Sequence, residues 1–261
     1  MTHLPLLLPR PGEKADLHMH TNICDGRDSA EEMVLSAIEK GLDCVGICAH
    51  AYVDFDTCCI PLDKYEVFLA DCARLKEKYA PQIKVLCGVE QDIYSSGPTD
   101  GFDYILGSVH YLKVEDEYIP VDLSPEVLIA AAEKHFGGDL LALIEAYYET
   151  EAKVFAVTHC DIIAHFDLIS KFNEGQKLFC ETDARVIRAY QAAADALLAC
   201  GRPFEVNTGA ISRRCRTAPY PSSDIYSYLA AKGGQFILSS DAHRRENIAY
   251  EFDKWQQIYA L

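Results

Sequence analysis

The sequence predicts an α/β fold, in which one barrel of alternating strands and helices carries polar residues at its mouth. Strand-like and helix-like segments alternate from residue 15 onward, a pattern that favours a parallel sheet with helices outside it. The chain has 261 residues and is 49% hydrophobic, which is enough for such a barrel of roughly 250 residues. Six apolar runs end in a histidine or a carboxylate, and a barrel gathers a functional site at its mouth in this way.

The first half of the chain is predicted to contain four strands and two helices. Ser29 is a favourable N-cap for the first helix, which carries Glu31 and Glu32 in its first turn and ends at Gly41. The third and fourth strands are joined without a helix through Ser95-Ser96-Gly97-Pro98, since glycine and proline mark a turn. The strands are expected over residues 15–19, 42–48, 83–89 and 103–109, and the second helix over residues 64–79.

The second half is predicted to add three strands, which makes seven in all. Ser124 followed by Pro125 is typical of a helix N-terminus with proline at its first position, and Asp139 begins a longer helix that runs to about Thr158. We expect one domain over residues 1–261, with residues 1–14 as an N-terminal tail. The remaining strands are predicted over residues 160–164, 203–206 and 235–238, and the remaining helices over residues 181–200, 222–232 and 246–259.

The charge and the cysteines restrict the class of protein. A net charge of −16 argues against binding to nucleic acid or to an anionic membrane surface, because both require basic residues. No run approaches the ~18 apolar residues of a membrane span, and the leucine-rich segment at residues 4–9 is too short for a signal peptide. The eleven cysteines lack the C-x-x-C pairing of a structural zinc site, so we expect reduced thiols in the cytoplasm.

Paired ligand residues lie at both ends of the predicted barrel. His18 and His20 are two residues apart, so on a strand they point to the same side. Asp241 and His243 repeat this spacing after the last predicted strand, which neighbours the first strand in a closed barrel. Imidazole and carboxylate ligands suit zinc, iron or manganese better than magnesium or calcium. Glu90, which ends another apolar run, can bridge two ions about 3.5–4 Å apart.

Several blocks of the sequence, in order along the chain, resemble one known superfamily. Asp16-Leu17-His18-Met19-His20-Thr21, with Asp25-Gly26 after it, resembles the opening motif of the polymerase-and-histidinol-phosphatase (PHP) superfamily. The likeness covers nearly the whole chain from residue 15, and it implies a distorted (β/α)7 TIM-like barrel of the PHP type. The monofunctional histidinol-phosphatase branch has motifs similar to Gly107-Ser108-Val109-His110, Asp161-Ile162-Ile163-Ala164-His165-Phe166-Asp167-Leu168-Ile169 and Phe204-Glu205-Val206-Asn207-Thr208-Gly209-Ala210-Ile211-Ser212-Arg213, the last followed by Pro219-Tyr220-Pro221-Ser222.

The resemblance also implies a trinuclear centre of divalent zinc, iron or manganese ions, with ligands assigned by position. Three ions would carry about +6 and three carboxylates about −3, so the centre has a local charge of about +3 that suits an anionic substrate. Some members of the superfamily have a histidine where this chain has Asp25. The first ion takes His18, His20, Glu90 and Asp241, the second takes Glu90, His110 and His165, and the third takes Asp25, His50 and His243.

The activity that the resemblance implies is hydrolysis of L-histidinol phosphate to L-histidinol and phosphate, in histidine biosynthesis. A metal-bridging hydroxide is the expected nucleophile, because metal coordination lowers the pKa of water to roughly 7. The alternative within this class is another small phosphomonoester as the substrate. The residues expected to take a direct part in catalysis are His18, His20, Glu90, His110, His165, Asp241 and His243.

Basic residues near the ligands are candidates for phosphate binding, for which the guanidinium fork is well suited. Arg213 is the first candidate, because it follows Asn207-Thr208-Gly209 at the carboxyl side of a predicted strand. Arg244, directly after His243, is the second candidate. Asn207 is expected either to orient Arg213 or to contact the substrate.

Other polar residues near these motifs carry a weaker signal. Either Lys171 or Asp167, which follow His165, could contact the substrate or protonate the leaving oxygen. For Arg214 and Arg216 we expect a solvated basic loop. Three histidines are not assigned to the site, namely His159 at a helix end or strand start, His135 at a helix C-terminus where a positive charge is favourable, and His3 in the tail.

Two other classes of protein are alternatives. A metal-dependent deaminase or amide hydrolase also begins with His-x-His on a barrel strand, but such sites use fewer ions and do not account for Asp25, His50 and His243. A non-catalytic metal-binding or proofreading-accessory module would need a second domain to serve, and no break in composition marks one. A count of the metal ions bound per chain would separate these classes.

Overall fold

Seven parallel strands form the central sheet of the computed structural model, which describes residues 12–259. They follow one another around the sheet in chain order. A separate two-stranded hairpin comes between the fourth and fifth of them in the sequence. Residues 1–11 and 260–261, which include His3 and most of the predicted tail, lie outside the described residues. The strands are β1 Ala15–Asp16, β2 Cys44–Ile47, β3 Lys84–Asp92, β4 Tyr104–Ser108, β5 Tyr111–Val114, β6 Glu117–Pro120, β7 Ile162–Ile163, β8 Phe204–Asn207 and β9 Phe236–Ser239.

The first and last strands of the sheet meet. Met19, just after β1, pairs in parallel with Ala242, just after β9. The amide of His20 donates to the carbonyl oxygen of Ala242 at 2.8 Å. The sheet therefore closes on itself, and the predicted distorted seven-stranded barrel is confirmed. Closure also brings the segments after β1 and β9 side by side, so that ligands far apart in sequence become neighbours.

Alternation along the strands separates the barrel interior from the side that faces the helices. In β2, Cys44 belongs to the interior cluster of apolar residues, whereas Val45 packs against the helices. Gly46 faces the interior, where a Cβ atom would lie 1.9 Å from the Tyr104 hydroxyl oxygen. That hydroxyl donates to the carbonyl oxygen of Leu17 at 2.5 Å. The Tyr104 ring thus packs in the barrel interior with the other apolar residues there, and a side chain at position 46 would collide with it.

Helices cover the outer face of the barrel. Ser29 begins the first helix with a reciprocal cap, in which its side chain accepts from the Glu32 amide and the Glu32 carboxylate accepts from the Ser29 amide. Within residues 12–259, no helix is both long and hydrophobic enough to span a bilayer. The helices are α1 Ala30–Glu39, α2 Tyr65–Tyr79, α3 Pro125–His135, α4 Leu140–Glu151, α5 Val154–Thr158, α6 Ala184–Leu198, α7 Gly209–Ser212, α8 Ser223–Ala231 and α9 Phe252–Tyr259.

Some predictions of individual elements were wrong. The helix predicted from Asp139 to Thr158 is two helices, α4 and α5, because the chain turns at residues 152–153. The last helix begins at Phe252 rather than near residue 246, after a 3₁₀ turn at Arg245–Asn247. The antiparallel hairpin of β5 and β6 was not predicted. The number of barrel strands is as predicted, but β1 and β7 have two residues each and are shorter than the predicted ranges 15–19 and 160–164.

Candidate active site

The predicted ligands lie at the carboxyl ends of the barrel strands or in the loops that follow them. Glu90 is within β3, and Asp241 follows β9. Asp241 has a φ of +48°, a left-handed conformation that is uncommon for residues other than glycine and that recurs at functional sites. The side chains of His18, His20, Glu90 and His165 are almost completely buried, whereas those of Asp25, His50, His110 and His243 are partly exposed.

Glu90 is the centre of the ligand cluster, and its two carboxylate oxygens face different histidines. Five imidazoles converge on this carboxylate, which is an arrangement suited to bridging two ions. Its Oε1 is 2.8 Å from His165 Nε2 and 3.1 Å from His110 Nε2. The ring nitrogens near its Oε2 are His50 Nδ1 at 2.9 Å, His18 Nε2 at 3.2 Å and His20 Nε2 at 3.3 Å.

A second acidic group of the cluster is Asp25. Its Oδ2 is 3.0 Å from His243 Nε2, and its Oδ1 is 3.6 Å from His50 Nε2 and 3.9 Å from His20 Nδ1. His20 and His50 therefore each present one ring nitrogen to Glu90 and the other to Asp25. Donor atoms of these three histidines and Asp25 all lie within 4.8 Å of one another. The residues predicted for the third ion are thus together, and His20 adjoins them.

The donor set fits divalent metal ions. Asp241 Oδ1 lies 3.4 Å from His20 Nε2 and 3.8 Å from His18 Nε2, which brings the four ligands predicted for the first ion together. Three ring nitrogens lie within 3.3 Å of the buried Glu90 Oε2, but neither they nor any other group in residues 12–259 has the geometry of a hydrogen bond to it. An unsatisfied buried acceptor is costly, and a cation would relieve that cost. Imidazoles combined with carboxylates are ligands that suit zinc, iron and manganese.

Charges in the cluster oppose the effect of burial on ionisation. Burial would raise the pKa of Glu90, but His110, His18 and His50 hold it well below its ordinary value. Burial lowers the pKa of His110, whereas Glu90 and Asp92 raise it to about 10. Glu90 is therefore ionised at neutral pH, and the imidazoles around it attract either a proton or a cation.

Three buried acidic residues that the sequence analysis did not assign hold the ligands in place. Partners of this kind fix the orientation of metal ligands. The sequence signal for one of them was a carboxylate inside an apolar segment, Phe204-Glu205-Val206. The contacts are Asp92 with the His110 amide at 2.6 Å, Asp16 with the Ser240 amide at 3.0 Å, next to Asp241, and Glu205 with His18 Nδ1 at 2.6 Å.

Arg213, the first candidate for phosphate binding, lies beside the ligands. Its Nη2 donates to Asp241 Oδ2 at 2.8 Å, and its Nη1 is 3.0 Å from His243 Nδ1. Burial lowers the pKa of Arg213, but Asp241 raises it above its ordinary value, so the guanidinium is charged. Its Nε is buried and donates to no atom of residues 12–259. Arg244, the second candidate, lines the same cavity with a side chain that is 43% exposed.

Two other candidates lie behind the cavity wall. Asn207 is fully buried, donates to Glu205 at 2.9 Å and accepts from the Gly209 amide at 2.8 Å. Asp167 is also buried and accepts from the Ser222 amide at 3.0 Å. Neither residue lines the cavity. The amide of Asn207 and the carboxylate of Asp167 are therefore engaged with the protein itself.

Arg214 and Arg216, and the unassigned His135 and His159, do not line the cavity above the ligands. Arg214 is exposed, as expected. The expectation of a solvated side chain was wrong for Arg216, which is 9% exposed because its guanidinium packs over the Tyr220 ring, 4.8 Å from the ring centre. His159 follows the end of α5, and His135 is the last residue of α3, so both are at helix ends as predicted.

A cavity of about 610 Å³ opens over the ligands. Seven of the nine predicted ligands line it, all except His18 and His20. Asp122 and Lys171 belong to another part of its wall, where Lys171 Nζ donates to Asp122 Oδ2 at 2.9 Å and to the Asp122 carbonyl oxygen at 2.9 Å. The cavity thus joins the ligand cluster to a paired acid and base that are not among the predicted ligands.

A closed parallel barrel whose strand ends hold clustered histidines and carboxylates defines a metal-binding α/β barrel protein. The sequence model of the PHP domain matches residues 16–208, and the chain belongs to this family. The resemblance inferred from the motifs is therefore confirmed. Arg213, Asp241 and His243 lie beyond the matched residues, and the fold brings them to the same site.

Curated relatives carry the name histidinol-phosphatase. A protein named probable histidinol-phosphatase from Schizosaccharomyces pombe is 29% identical over 198 residues, which cover 72% of this chain and 63% of that protein. One with the same name from Deinococcus radiodurans is 26% identical over 256 residues, which cover 91% of this chain and 89% of that protein. The chain therefore spans just under two thirds of the first relative and most of the second.

Two solved structures share the fold. One from Listeria monocytogenes, described as a "putative histidinol phosphatase", has a TM-score of 0.80 at 21% identity and covers 93% of this chain and 100% of that one. Histidinol phosphate phosphatase from Lactococcus lactis, complexed with zinc, L-histidinol and phosphate, has a TM-score of 0.68 at 18% identity and covers 95% and 93% of the two chains. At these identities the likeness shows the fold, and it agrees with the predicted barrel.

Proposed function

We propose that this protein is a histidinol-phosphatase, which hydrolyses L-histidinol phosphate to L-histidinol and phosphate in histidine biosynthesis. The observation that carries the proposal is the clustering of histidine and carboxylate ligands around Glu90, at a cavity that also contains Arg213. The names of the curated relatives and the ligands of the Lactococcus lactis structure support the choice of substrate. Another small phosphomonoester is the alternative substrate for the same centre.

Three divalent ions of zinc, iron or manganese are the proposed cofactors. When bound, they supply positive charge for the phosphate oxygens and lower the pKa of water so that it can attack phosphorus. Each of the three ligand sets contains a carboxylate, which balances part of that charge. The sets are His18, His20, Glu90 and Asp241 for one ion, Glu90, His110 and His165 for another, and Asp25, His50 and His243 for the third.

Arg213 binds the phosphate group in this proposal. Its guanidinium is already held by Asp241 and His243, so little ordering is needed when the substrate arrives. Gly209 makes this position possible, because a Cβ atom there would lie 2.8 Å from Arg213 Nη2. Asn207 accepts a hydrogen bond from the Gly209 amide, and of its two predicted roles we assign it the orienting one. Arg244 is the second, more exposed phosphate contact.

Asp122 suits the ammonium group of histidinol phosphate. It lines the cavity and is not one of the predicted metal ligands. Burial would raise the pKa of Asp122, but Lys171 and His110 lower it, so the carboxylate is ionised. Lys171 also lines the cavity, whereas Asp167 does not. Lys171 and Asp167 were the two residues predicted to contact the substrate or to protonate the leaving oxygen. Because only Lys171 of the two lines the cavity, we assign this role to Lys171.

We further propose that the protein is a single-domain cytoplasmic enzyme that binds neither nucleic acid nor a membrane. All eleven cysteines have free thiols, which fits a reducing compartment. The net charge of −16 disfavours polyanionic partners. A deaminase or amide hydrolase fits less well, because it would give no role to the group formed by Asp25, His50 and His243.

Release of phosphate by the purified, metal-loaded protein tests the proposal. Among a panel of phosphomonoesters, L-histidinol phosphate should have the highest kcat/KM, and treatment with a chelator should abolish the activity until metal is restored. Glu90→Gln, purified in the same way, controls for contaminating phosphatases. A higher kcat/KM for ordinary sugar phosphates would contradict the substrate, and phosphate release that survives the chelator would contradict the metal centre.

A further inference from the structure

Glu205 is a buried carboxylate that contacts ligands on both sides of Glu90. It lies in β8 and is 0% exposed. Its Oε1 is 2.6 Å from His18 Nδ1. Its Oε2 accepts from the backbone amide of His165 at 2.8 Å and from Asn207 Nδ2 at 2.9 Å. Both oxygens are therefore in use, and every partner is a donor or can act as one.

The contact with His18 selects the form of its ring. An ionised carboxylate only accepts hydrogen bonds, so His18 Nδ1 carries the proton that it donates to Glu205. The other ring nitrogen, Nε2, is then free of a proton in the neutral ring, and it is the atom that lies 3.2 Å from Glu90 and 3.1 Å from His20 Nε2. The hydrogen bond made by one nitrogen of a histidine thus decides whether the other can bind a metal.

The contact with His165 acts on the backbone instead. Glu205 holds the amide of His165, whose ring reaches the opposite oxygen of Glu90 with its Nε2 at 2.8 Å. His18 and His165 follow different strands, β1 and β7. One side chain from β8 therefore ties together two ligands that belong to different predicted metal positions.

We propose that Glu205 is a positioning residue that couples the two metal positions sharing Glu90, by fixing the ring form of His18 and the backbone of His165. The inference rests on the metal centre of the proposed function. It adds that the affinities for two ions depend on one carboxylate that itself binds neither of them. Asn207, which donates to the same oxygen, completes the support.

Glu205→Gln keeps the size of the side chain and breaks this arrangement in either orientation. If the new NH2 group faces His18, Nδ1 has to accept the hydrogen bond and the proton moves to Nε2, which then cannot bind a metal. If the NH2 group faces the other way, it lies against the backbone N–H of His165 and the side-chain NH2 of Asn207. All three groups are hydrogen-bond donors, so none of them has an acceptor there. Loss of such an outer partner typically costs 10–100-fold in metal affinity, so about 10-fold or more is expected here.

The test compares Glu205→Gln with Glu151→Gln. Glu151, in α4, is also 0% exposed, and burial raises the pKa of its carboxyl group well above the ordinary value, so Glu151→Gln controls for the change of a buried acidic side chain to an amide at a position that bonds to none of the predicted ligands. Competition with a chromophoric chelator measures how many zinc ions bind and how tightly. In Glu205→Gln the affinity for two of the ions should fall, whereas in Glu151→Gln every affinity should stay within about twofold of wild type. Activity of Glu205→Gln should rise as zinc is added in excess.

A spectroscopic measurement on the wild-type protein tests the same inference without a variant. Long-range ¹H–¹⁵N correlation spectra of the zinc-loaded protein should show His18 with a protonated Nδ1 and a zinc-bound Nε2. The opposite assignment, or a Glu205→Gln protein that binds zinc as wild type does, would overturn the role of Glu205 while leaving the proposed function intact. Wild-type protein that binds no divalent ion would overturn both.

Discussion

At the residue scale, the site balances opposite charges at low solvent exposure. Five imidazoles face Glu90, whose side chain is 1% exposed. Charged groups that are buried to this extent are tolerated only when they are paired with opposite charges. Protons on the imidazoles can balance the carboxylates, and metal ions can replace those protons. Metal binding and proton binding at this site are therefore linked.

Binding of zinc is expected to release protons at pH 7. Burial and His50 lower the pKa of His20, but Asp241 and Glu90 raise it to about 10, and the pKa of His110 is likewise about 10. Both rings are therefore in the charged imidazolium form at pH 7, and a zinc ion must displace one proton from each ring that it binds. The affinity of the site for zinc should then weaken as the pH falls. Calorimetric titration of zinc in buffers of different ionisation enthalpy counts the protons. An enthalpy that does not depend on the buffer would contradict this linkage.

Asp122→Asn is expected to reduce the preference for a substrate that carries an amine. Loss of a hydrogen bond between charged groups is worth about 1.5–3 kcal/mol, so kcat/KM for L-histidinol phosphate should fall by roughly 10–100-fold. The analogue without the amine should be hydrolysed almost as fast as by wild type. Steady-state kinetics with both esters measure the ratio.

Asp56 provides the control for this prediction, since it lines the same cavity and is bound by the Tyr111 hydroxyl. Asp56→Asn should leave the ratio of the two kcat/KM values unchanged. If the preference disappears in Asp56→Asn and survives in Asp122→Asn, the assignment of the ammonium group to Asp122 is wrong.

At the element scale, the sequence predicted structure well where residues within one turn decide it. Ser29, Ser124 and Asp139 each begin a helix, and each side chain accepts from a backbone amide in the first turn. These signals are local, because the cap and the amide it binds are two or three residues apart. The starts of α1, α3 and α4 could therefore be found without knowledge of the fold.

The hairpin of β5 and β6 had no comparable signal. Its Tyr118 ring stacks on Phe55 with the ring centres 3.8 Å apart, and Tyr111 bonds to Asp56. These partners come from a loop more than fifty residues earlier in the chain. The turn itself contains Glu115 with a φ of +55°, rather than a glycine or an asparagine. The hairpin is thus packed against residues that are distant in sequence, and no local sequence pattern reveals such contacts.

Ser29→Ala is expected to lower the free energy of unfolding by about 1 kcal/mol, because it removes the acceptor for the Glu32 amide. Ser227→Ala is the matched control, an exposed serine in α8 whose hydroxyl, among residues 12–259, bonds to the carbonyl oxygen of Ser223 alone. Its effect should stay within about 0.5 kcal/mol. Urea denaturation measures both. An equal change in the two variants would show that the cap at Ser29 does not stabilise the fold.

At the scale of the whole molecule, barrel closure turns a linear series of ligands into one site. His18 and Asp241 were recognisable because each follows an apolar run, and their meeting required only that the first and last strands be neighbours. The roles of Glu205 and Asp122 could not be predicted in the same way. Glu205 contacts residues that follow two other strands, and the role proposed for Asp122 depends on its place in a cavity wall. Such roles exist only once the chain has folded.

The most direct test of the metal centre is anomalous scattering from crystals grown with manganese or zinc, measured above and below the absorption edge of that metal. We predict three anomalous peaks within the ligand cluster, two of them in contact with Glu90 and one between Asp25, His50 and His243. A map without any peak in contact with Glu90 would contradict this account.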